Sequence, residues 1–226
     1  MNIEQDIYLN FHTHKQKLYD DEIIIHNLFL QDENLITHNG NKIFFSAGLH
    51  PWHADLLTKD EIVTKFEMLV NNQVIIAVGE IGIDKLNGPE LEIQSKIFEY
   101  QAQLAERYEL PLIIHSVKAH NEILKFRKTL KPEKPWVIHN FNGSKQMAFN
   151  LIENGFYLSL GHCITNPNSR LSSYLNELPL TKIFLETDDY DIDIKYLYLV
   201  LAQKIGKSER SLRKQLINNL RNFLYV

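Results

Sequence analysis

Cysteine is nearly absent: Cys163 is the one thiol in 226 residues. No disulfide can close within the chain, which fits a reducing compartment. Long hydrophobic runs are missing too. Stretches such as Ile23–Ile25 and Val74–Val78 fall far short of the roughly 20 apolar residues that span a bilayer. The opening Met1-Asn2-Ile3-Glu4-Gln5-Asp6 is acidic and lacks the basic-then-apolar layout of a secretory signal. The expected location is the cytoplasm, with no membrane association. An excess of positive charge is also lacking, since 24 Lys and Arg against 28 Asp and Glu leave a net −4. A protein that grips long nucleic acid by counterion release carries a basic face or a high pI. Basic residues thicken only at Lys204, Lys207, Arg210, Arg213, Lys214 and Arg221, which scatter around a helix and read as solvated surface. Any polyanion site is therefore local, or takes its positive charge from metal ions. Internal repeats, low-complexity tracts and Gly/Ser/Pro-rich linkers are absent, so a single domain over 1–226 is expected, with no obligate protein partner.

What is present is an ordinary globular composition, 44% hydrophobic and 23% charged, which excludes a disordered chain. Short apolar or alternating runs predict strands near 7–11, 22–29, 43–48, 74–79, 111–115, 136–140, 156–160 and 183–186. Several are continuously apolar, as parallel strands buried on both faces tend to be. Helical periodicity fills most of the intervals. In 89–109, Ile97, Phe98, Gln101, Leu104, Ala105 and Tyr108 recur at three- and four-residue spacing, with Pro89 placed for a first turn. Further helices are predicted over 54–71, 117–130, 144–153, 166–178, 192–205 and 208–224, the last opened by a Ser208 N-cap.

Strands alternating with helices imply an α/β fold with a parallel sheet. Eight units of about 28 residues lie near the lower size limit of a TIM-type (β/α)8 barrel. Between His14 and Glu22 there is room only for a loop, and 30–42 holds at most a short helix. The early helices of the barrel are thus short or missing, and pattern alone leaves a doubly wound open sheet possible.

The polar residues of interest sit at C-terminal ends of these strands. Asn10-Phe11-His12-Thr13-His14 comes first; alternate residues on an extended strand point the same way, so both imidazoles can reach one metal ion. Taken alone the pair is weak, because ten histidines shuffled through the chain give roughly 10 × 10/226, or about 0.4, such pairs. Gly48-Leu49-His50-Pro51-Trp52-His53 closes the third strand, and Ala77-Val78-Gly79-Glu80-Ile81-Gly82-Ile83-Asp84 the fourth. A carboxylate at the end of an apolar strand is costly unless a cation compensates it. Pro111-Leu112-Ile113-Ile114-His115, Trp136-Val137-Ile138-His139-Asn140-Phe141 and Ile183-Phe184-Leu185-Glu186-Thr187-Asp188-Asp189 follow. Four histidines and two carboxylates, His12, His14, His115, His139, Glu80 and Asp188, thus end five strands. Imidazole with carboxylate suits zinc, manganese or iron. Six ligands exceed one four-coordinate site and suggest two metals bridged by a carboxylate, a pair suited to hydrolysis at phosphorus.

This ordered set, HTH, GLHPWH, GEIGID, IIHSVKAH, IHNFNG and LETDD, resembles the TatD family of metal-dependent hydrolases, often called deoxyribonucleases, in a short form. The likeness runs from Ile7 to about Phe223. It implies a TIM-type barrel, two divalent ions (zinc, magnesium or manganese) and hydrolysis of ester bonds, typically DNA phosphodiesters. By the resemblance His12, His14 and Asp188 hold one metal, His115 and His139 the other, and Glu80 bridges them. Asp188 orients or deprotonates the attacking water, making it and Glu80 the catalytic pair. His50 and His53 contact substrate phosphate or leaving group. Three positions depart from the family pattern: Asn10 replaces a common aspartate, Lys118 a common arginine, and Asp189 a small residue before proline.

Plainer readings stand beside these. A strand histidine is often a hydrogen-bonded core residue, and Pro51-Trp52 between His50 and His53 reads equally as a turn with an aromatic lid. His120 and His162 read as incidental, His26 and His38 as surface residues, and Cys163 as buried and inert. Asp84 reads as a loop-fixing group, and Glu186 as pointing away from the partner of Asp188. The expected function is hydrolysis of phosphoester bonds by a two-metal-activated water, with DNA ends or single strands as substrate. Hydrolysis of a small amide, lactone or carboxylic ester is the alternative, and a non-catalytic metal-binding protein a further one.

Overall fold

The first strand sequence, Tyr8-Leu9-Asn10-Phe11-His12-Thr13, is buried along its whole length, as an inner parallel strand requires. In the computed structural model, which describes residues 7–15, 19–32 and 42–225, eight strands form one sheet in chain order. They are β1 (Tyr8–Thr13), β2 (Glu22–Phe29), β3 (Ile43–Gly48), β4 (Ile75–Asp84), β5 (Leu112–Val117), β6 (Trp136–Ile138), β7 (Phe156–Leu160) and β8 (Ile183–Leu185). The recorded pairings are parallel. A parallel bridge from Thr13 to Asp188 sets the end of β1 beside the segment following β8. Helices α1 (Lys59–Asn71), α2 (Leu91–Arg107), α3 (His120–Leu130), α4 (Lys145–Glu153), α5 (Ile194–Ile205) and α6 (Glu209–Tyr225) fill the later intervals. This is the TIM-type (β/α)8 class expected, and the open doubly wound alternative is set aside. Among the described residues no helix separates β1 from β2 or β2 from β3. Among the described residues no helix is long and apolar enough to cross a membrane.

The chain builds two compact units. Of the described residues, one takes 7–15, 19–26, 42–43 and 139–225. Its core packs Phe11 flat on Phe184 with centroids 3.9 Å apart, and both meet Phe223 of α6 edge-on. The other takes 27–32 and 44–138. There Phe98 of α2 meets Trp136 of β6 edge-on at 5.8 Å, and Ile62 and Phe66 of α1 are fully buried.

Local chemistry sets most boundaries. Thr58 and Glu61 form a reciprocal capping box at the start of α1, and the Ser208 hydroxyl accepts from Ser211 N–H at the start of α6, as its sequence predicts. Pro89 falls ahead of the Glu90 N-cap of α2 rather than in its first turn. Strand β6 stops two residues early because Asn140 turns to a φ of 43°. The helix predicted over 166–178 is absent. Short 3-10 turns at Leu171–Ser173 and Leu175–Glu177 stand there instead. The cause is local competition by polar side chains: Asn166 Oδ1 accepts from Asn168 N–H, Ser169 Oγ from Ser172 N–H, and Ser172 Oγ donates back to Asn166 C=O. Residues 16–18 of the loop expected between His14 and Glu22, and residues 33–41 of the segment 30–42 expected to hold at most a short helix, His38 included, lie outside the described residues. His26 is not on the surface: it lies 7% exposed within β2, and burial depresses its pKa.

Candidate functional site

Each unit carries its own cluster of donor side chains. In the first, β1 runs out through a register irregularity between Asn10 and Thr13, delivering His12 fully buried and His14 half-buried. Asp188 is locked beside them by backbone: its N–H donates to His12 C=O at 3.0 Å, and its C=O accepts from His14 N–H at 3.4 Å. A φ of 53° at Asp188 accompanies a carboxylate whose Oδ1 lies 3.8 Å from His12 Nε2 and 3.4 Å from His14 Nε2. The other oxygen, Oδ2, accepts from Asn140 Nδ2 at 2.9 Å. His139, from the end of β6, sets its ring 4.6 Å from that of His12.

Behind His139 stands Glu186, completely buried. Its Oε1 lies 3.2 Å from His139 Nδ1 and accepts from Asn140 N–H at 2.7 Å. A carboxylate on Nδ1 fixes the tautomer that leaves Nε2 as the lone-pair donor. The expectation that Glu186 points away from this chemistry is thus corrected: it reaches a candidate ligand. The departure at Asn10 is also explained locally. Asn10 Nδ2 donates to Thr187 Oγ1 at 2.8 Å and Asn10 Oδ1 accepts from Thr187 N–H at 3.0 Å, a reciprocal pair that ties β1 to the chain after β8.

In the second unit, β4 carries Glu80 inward at 2% exposure. Its Oε1 is 2.6 Å from His115 Nδ1 and 3.3 Å from His50 Nε2. Room for this convergence comes from glycine: a Cβ on Gly79 would sit 2.6 Å from Ile113 Cβ, and one on Gly82 would overlap the His115 carbonyl. Asp84 closes the strand. It takes Trp52 Nε1–H at 2.6 Å and the N–H groups of Leu86 and Asn87, and its Oδ2 lies 3.4 Å from His115 Nε2. Burial pushes its pKa up, and these donors more than reverse that, so the carboxyl titrates below its ordinary range. Asp84 therefore fixes its loop as expected, and touches His115 besides. Gln94 of α2, itself buried, holds the same loop through Asp84 N–H and the carbonyls of Asp84, Asn87 and Pro89.

The donor atoms of His12, His139 and Asp188 lie within 4.8 Å of one another, and so do those of His50, Glu80 and His115. His14, Asp188 and Asp189 make a third such set. Imidazoles converging with carboxylates in a largely buried setting fit a divalent ion, which offsets the cost of desolvating the acids. His50, read as a substrate contact, thus stands among the donors of its unit. His53 joins no such cluster and rides on the 3-10 turn Pro51–His53. His120 begins α3 and Lys118 precedes it with a φ of 52°. His162 stacks on Tyr190. Cys163 is buried and its thiol is pushed up to about 11 by that burial, consistent with an inert group.

The family profile described as TatD related DNase matches residues 14–224. The chain belongs to that family. It is 31% identical over 165 residues to the Escherichia coli K12 protein named uncharacterized metal-dependent hydrolase YjjV, covering 70% of this chain and 62% of that one. It is also 31% identical over 156 residues to the Schizosaccharomyces pombe protein named deoxyribonuclease Tat-D, covering 63% and 50% respectively. The matched region therefore spans about half to two thirds of these relatives' lengths. The crystal structure of E. coli YjjV, described as a TatD homolog, superposes with a TM-score of 0.83 at 22% identity, over 99% of this chain and 100% of that one. That likeness supports the fold assignment.

Proposed function

We propose that this chain is a divalent-metal-dependent hydrolase of phosphoester bonds, with DNA ends or single strands as its substrate. The observation that carries the reading is the pair of imidazole–carboxylate clusters, His12/His139/Asp188 and His50/Glu80/His115, in a chain of the TatD-related DNase family. The name of the S. pombe relative supports DNA as the substrate.

His12, His14, His139 and Asp188 are the ligands from the first unit, Glu80 and His115 those from the second. Divalent ions supply, when bound, the charge that makes water a nucleophile at neutral pH and steadies charge developing on the phosphoryl oxygens. Asp188 takes or steers the proton of the attacking water. Its Oδ2 is held by Asn140, while Oδ1 faces His12 and His14, so the carboxylate has one fixed orientation. Attack at phosphorus breaks the bond to the leaving alcohol, to which a proton returns. His53 is the proposed contact to phosphate or leaving group, and His50, which stands beside Glu80 and His115, is proposed to serve there as donor or substrate contact. A net charge of −4 disfavours gripping long duplex and favours ends or single strands.

The test is hydrolysis of an end-labelled single-stranded DNA oligonucleotide by metal-stripped protein resupplied with magnesium, manganese or zinc. A metal-dependent ladder lost in both His115→Ala and Asp188→Asn is the expected result. Bound metal without cleavage would move the reading to a small ester or amide substrate. Equal rates on closed circular and linear duplex would remove the preference for ends.

A further inference from the structure

Beyond Asp188 the chain turns outward through Asp189 and Tyr190, in the loop where the sequence leaves the family pattern. The Tyr190 ring lies face to face with the His162 imidazole, centroids 3.5 Å apart and planes 27° from parallel. Burial depresses the His162 pKa and the Asp188 carboxylate opposes the shift; the imidazole backs the tyrosine from behind. Tyr190 itself remains 44% exposed. A large ring held rigid from behind and left open in front is a stacking surface.

The same ring lines a cavity of about 140 Å³, shared with Thr13, Lys15, Tyr19, Glu22 and Thr187. All of these belong to the first unit. A space of roughly 150 Å³ accepts one six-membered ring, so the cavity suits a pyrimidine better than a purine. Its wall is mixed: Tyr19 and Tyr190, the buried Thr13 and Thr187, and the acids Glu22, Asp191 and Asp193. The two hydroxyls are paired with each other, with Asn10 Nδ2 and with the Asp188 carbonyl, so it is the carboxyl groups that accept from the amino edge of a base while the tyrosine takes its face. At the rim, Lys15 Nζ lies 3.3 Å from Asp191 Oδ1, whose side chain is fully solvated. A pair of that kind is weak and exchanges readily for a phosphate. Aromatic ring and ammonium side by side are the two elements by which proteins hold single strands. A neutral ester or amide substrate has no use for the ammonium.

We propose that this cavity is a nucleobase subsite, in which a pyrimidine of single-stranded DNA stacks on Tyr190 while Lys15 engages a neighbouring phosphate. The inference rests on the DNA reading above and adds to it. A paired base is not free to enter, so the subsite gives single-strand preference a physical basis without a basic face.

The experiment measures cleavage of single-stranded oligonucleotides carrying one abasic position, moved along the strand, by the metal-loaded protein. Wild type is expected to show one position where loss of the base raises KM about 10-fold or more and leaves kcat nearly unchanged. Tyr190→Ala raises KM for the intact strand by a similar factor and erases the abasic penalty, whereas Tyr190→Phe keeps both near wild type. His162→Ala, which removes the backing ring, falls between. Fluorescence anisotropy of the metal-free protein with the same strands gives the binding differences without turnover. Cleavage that proceeds with the same abasic penalty in Tyr190→Ala as in wild type overturns the subsite and leaves the nuclease reading intact. Failure to cleave or bind DNA with any metal overturns both.

Discussion

Glu186 Oε1 lies 3.2 Å from His139 Nδ1 and is fully shielded from solvent. The same oxygen accepts the Asn140 amide at 2.7 Å, so the imidazole is oriented by a group that is itself anchored to the neighbouring peptide. Groups that orient a ligand in this way typically change metal affinity by about 10–100-fold when replaced. Glu186→Gln, which preserves shape and can still accept one hydrogen bond, is expected to weaken binding of manganese or zinc within that range. Titration calorimetry on the metal-stripped protein would measure it, and unchanged affinity would deny Glu186 this role.

Acidity offers a second handle. Burial raises the Glu22 carboxyl to about 7, the Asp193 carboxylate adds to the shift, and Lys195 opposes it. Lys195 is itself engaged by Asp21 at 2.7 Å. The folded state holds the Glu22 proton more tightly than the unfolded chain does. Its stabilisation is therefore complete below the ordinary carboxylate value of 4.5 and is lost as pH rises towards about 7. Glu22→Gln removes that loss, and is expected to exceed wild type by about 1–2 kcal/mol at pH 8 after allowance for solvent screening. Urea midpoints of both proteins at pH 4 and pH 8 check it, since the gap must open only at the higher pH.

Gln94 is expected to matter for stability before it matters for chemistry. Its amide makes four hydrogen bonds to the chain between Asp84 and Pro89 and is 2% exposed. Gln94→Ala strands those groups and should cost about 2–3 kcal/mol. The accompanying loss of Asp84 position predicts a faster hydrogen exchange at Leu86 and Asn87, measured by mass spectrometry. Retained protection there would mean that Trp52 and Asn87 alone hold the loop.

Removal of metal should be felt in the fold as well as in turnover. Donors brought together from separate strands bind the native state and not the unfolded chain, so a saturating ion adds stability by mass action, about 2.7 kcal/mol at 100 times Kd. Differential scanning calorimetry with and without a chelator is expected to show a lower Tm in the stripped protein, restored by manganese or zinc. An unchanged Tm at saturating metal would count against native-state donor clusters.

The sequence made the strands and the donor histidines legible for one reason. Apolar runs such as Leu112-Ile113-Ile114 have nowhere to go but an inner strand, and the first polar residue after each run must emerge at its end. Glu186 escaped because the same logic treats a strand carboxylate two positions before Asp188 as an ordinary acid, and no pattern reveals that Asn140 bends to meet it. The polar tract 166–178 was misleading in the opposite way. Its leucine spacing is helical, but Asn166, Ser169 and Ser172 satisfy backbone groups locally and leave the helix without an advantage. His26 was misjudged because one histidine in an apolar run gives no sign of its own burial.

Strand β4 packs so tightly at Gly79 and Gly82 that a single methyl group would collide with the neighbouring strand. Both positions flank Glu80, so the segment bearing this acid has almost no tolerated neighbours in sequence space. Random mutagenesis across 79–82 should return far fewer folded clones than an equal library across 189–192. Any variation selected for new substrates will therefore accumulate in the outer loops, while the acid and its two glycines persist as a block.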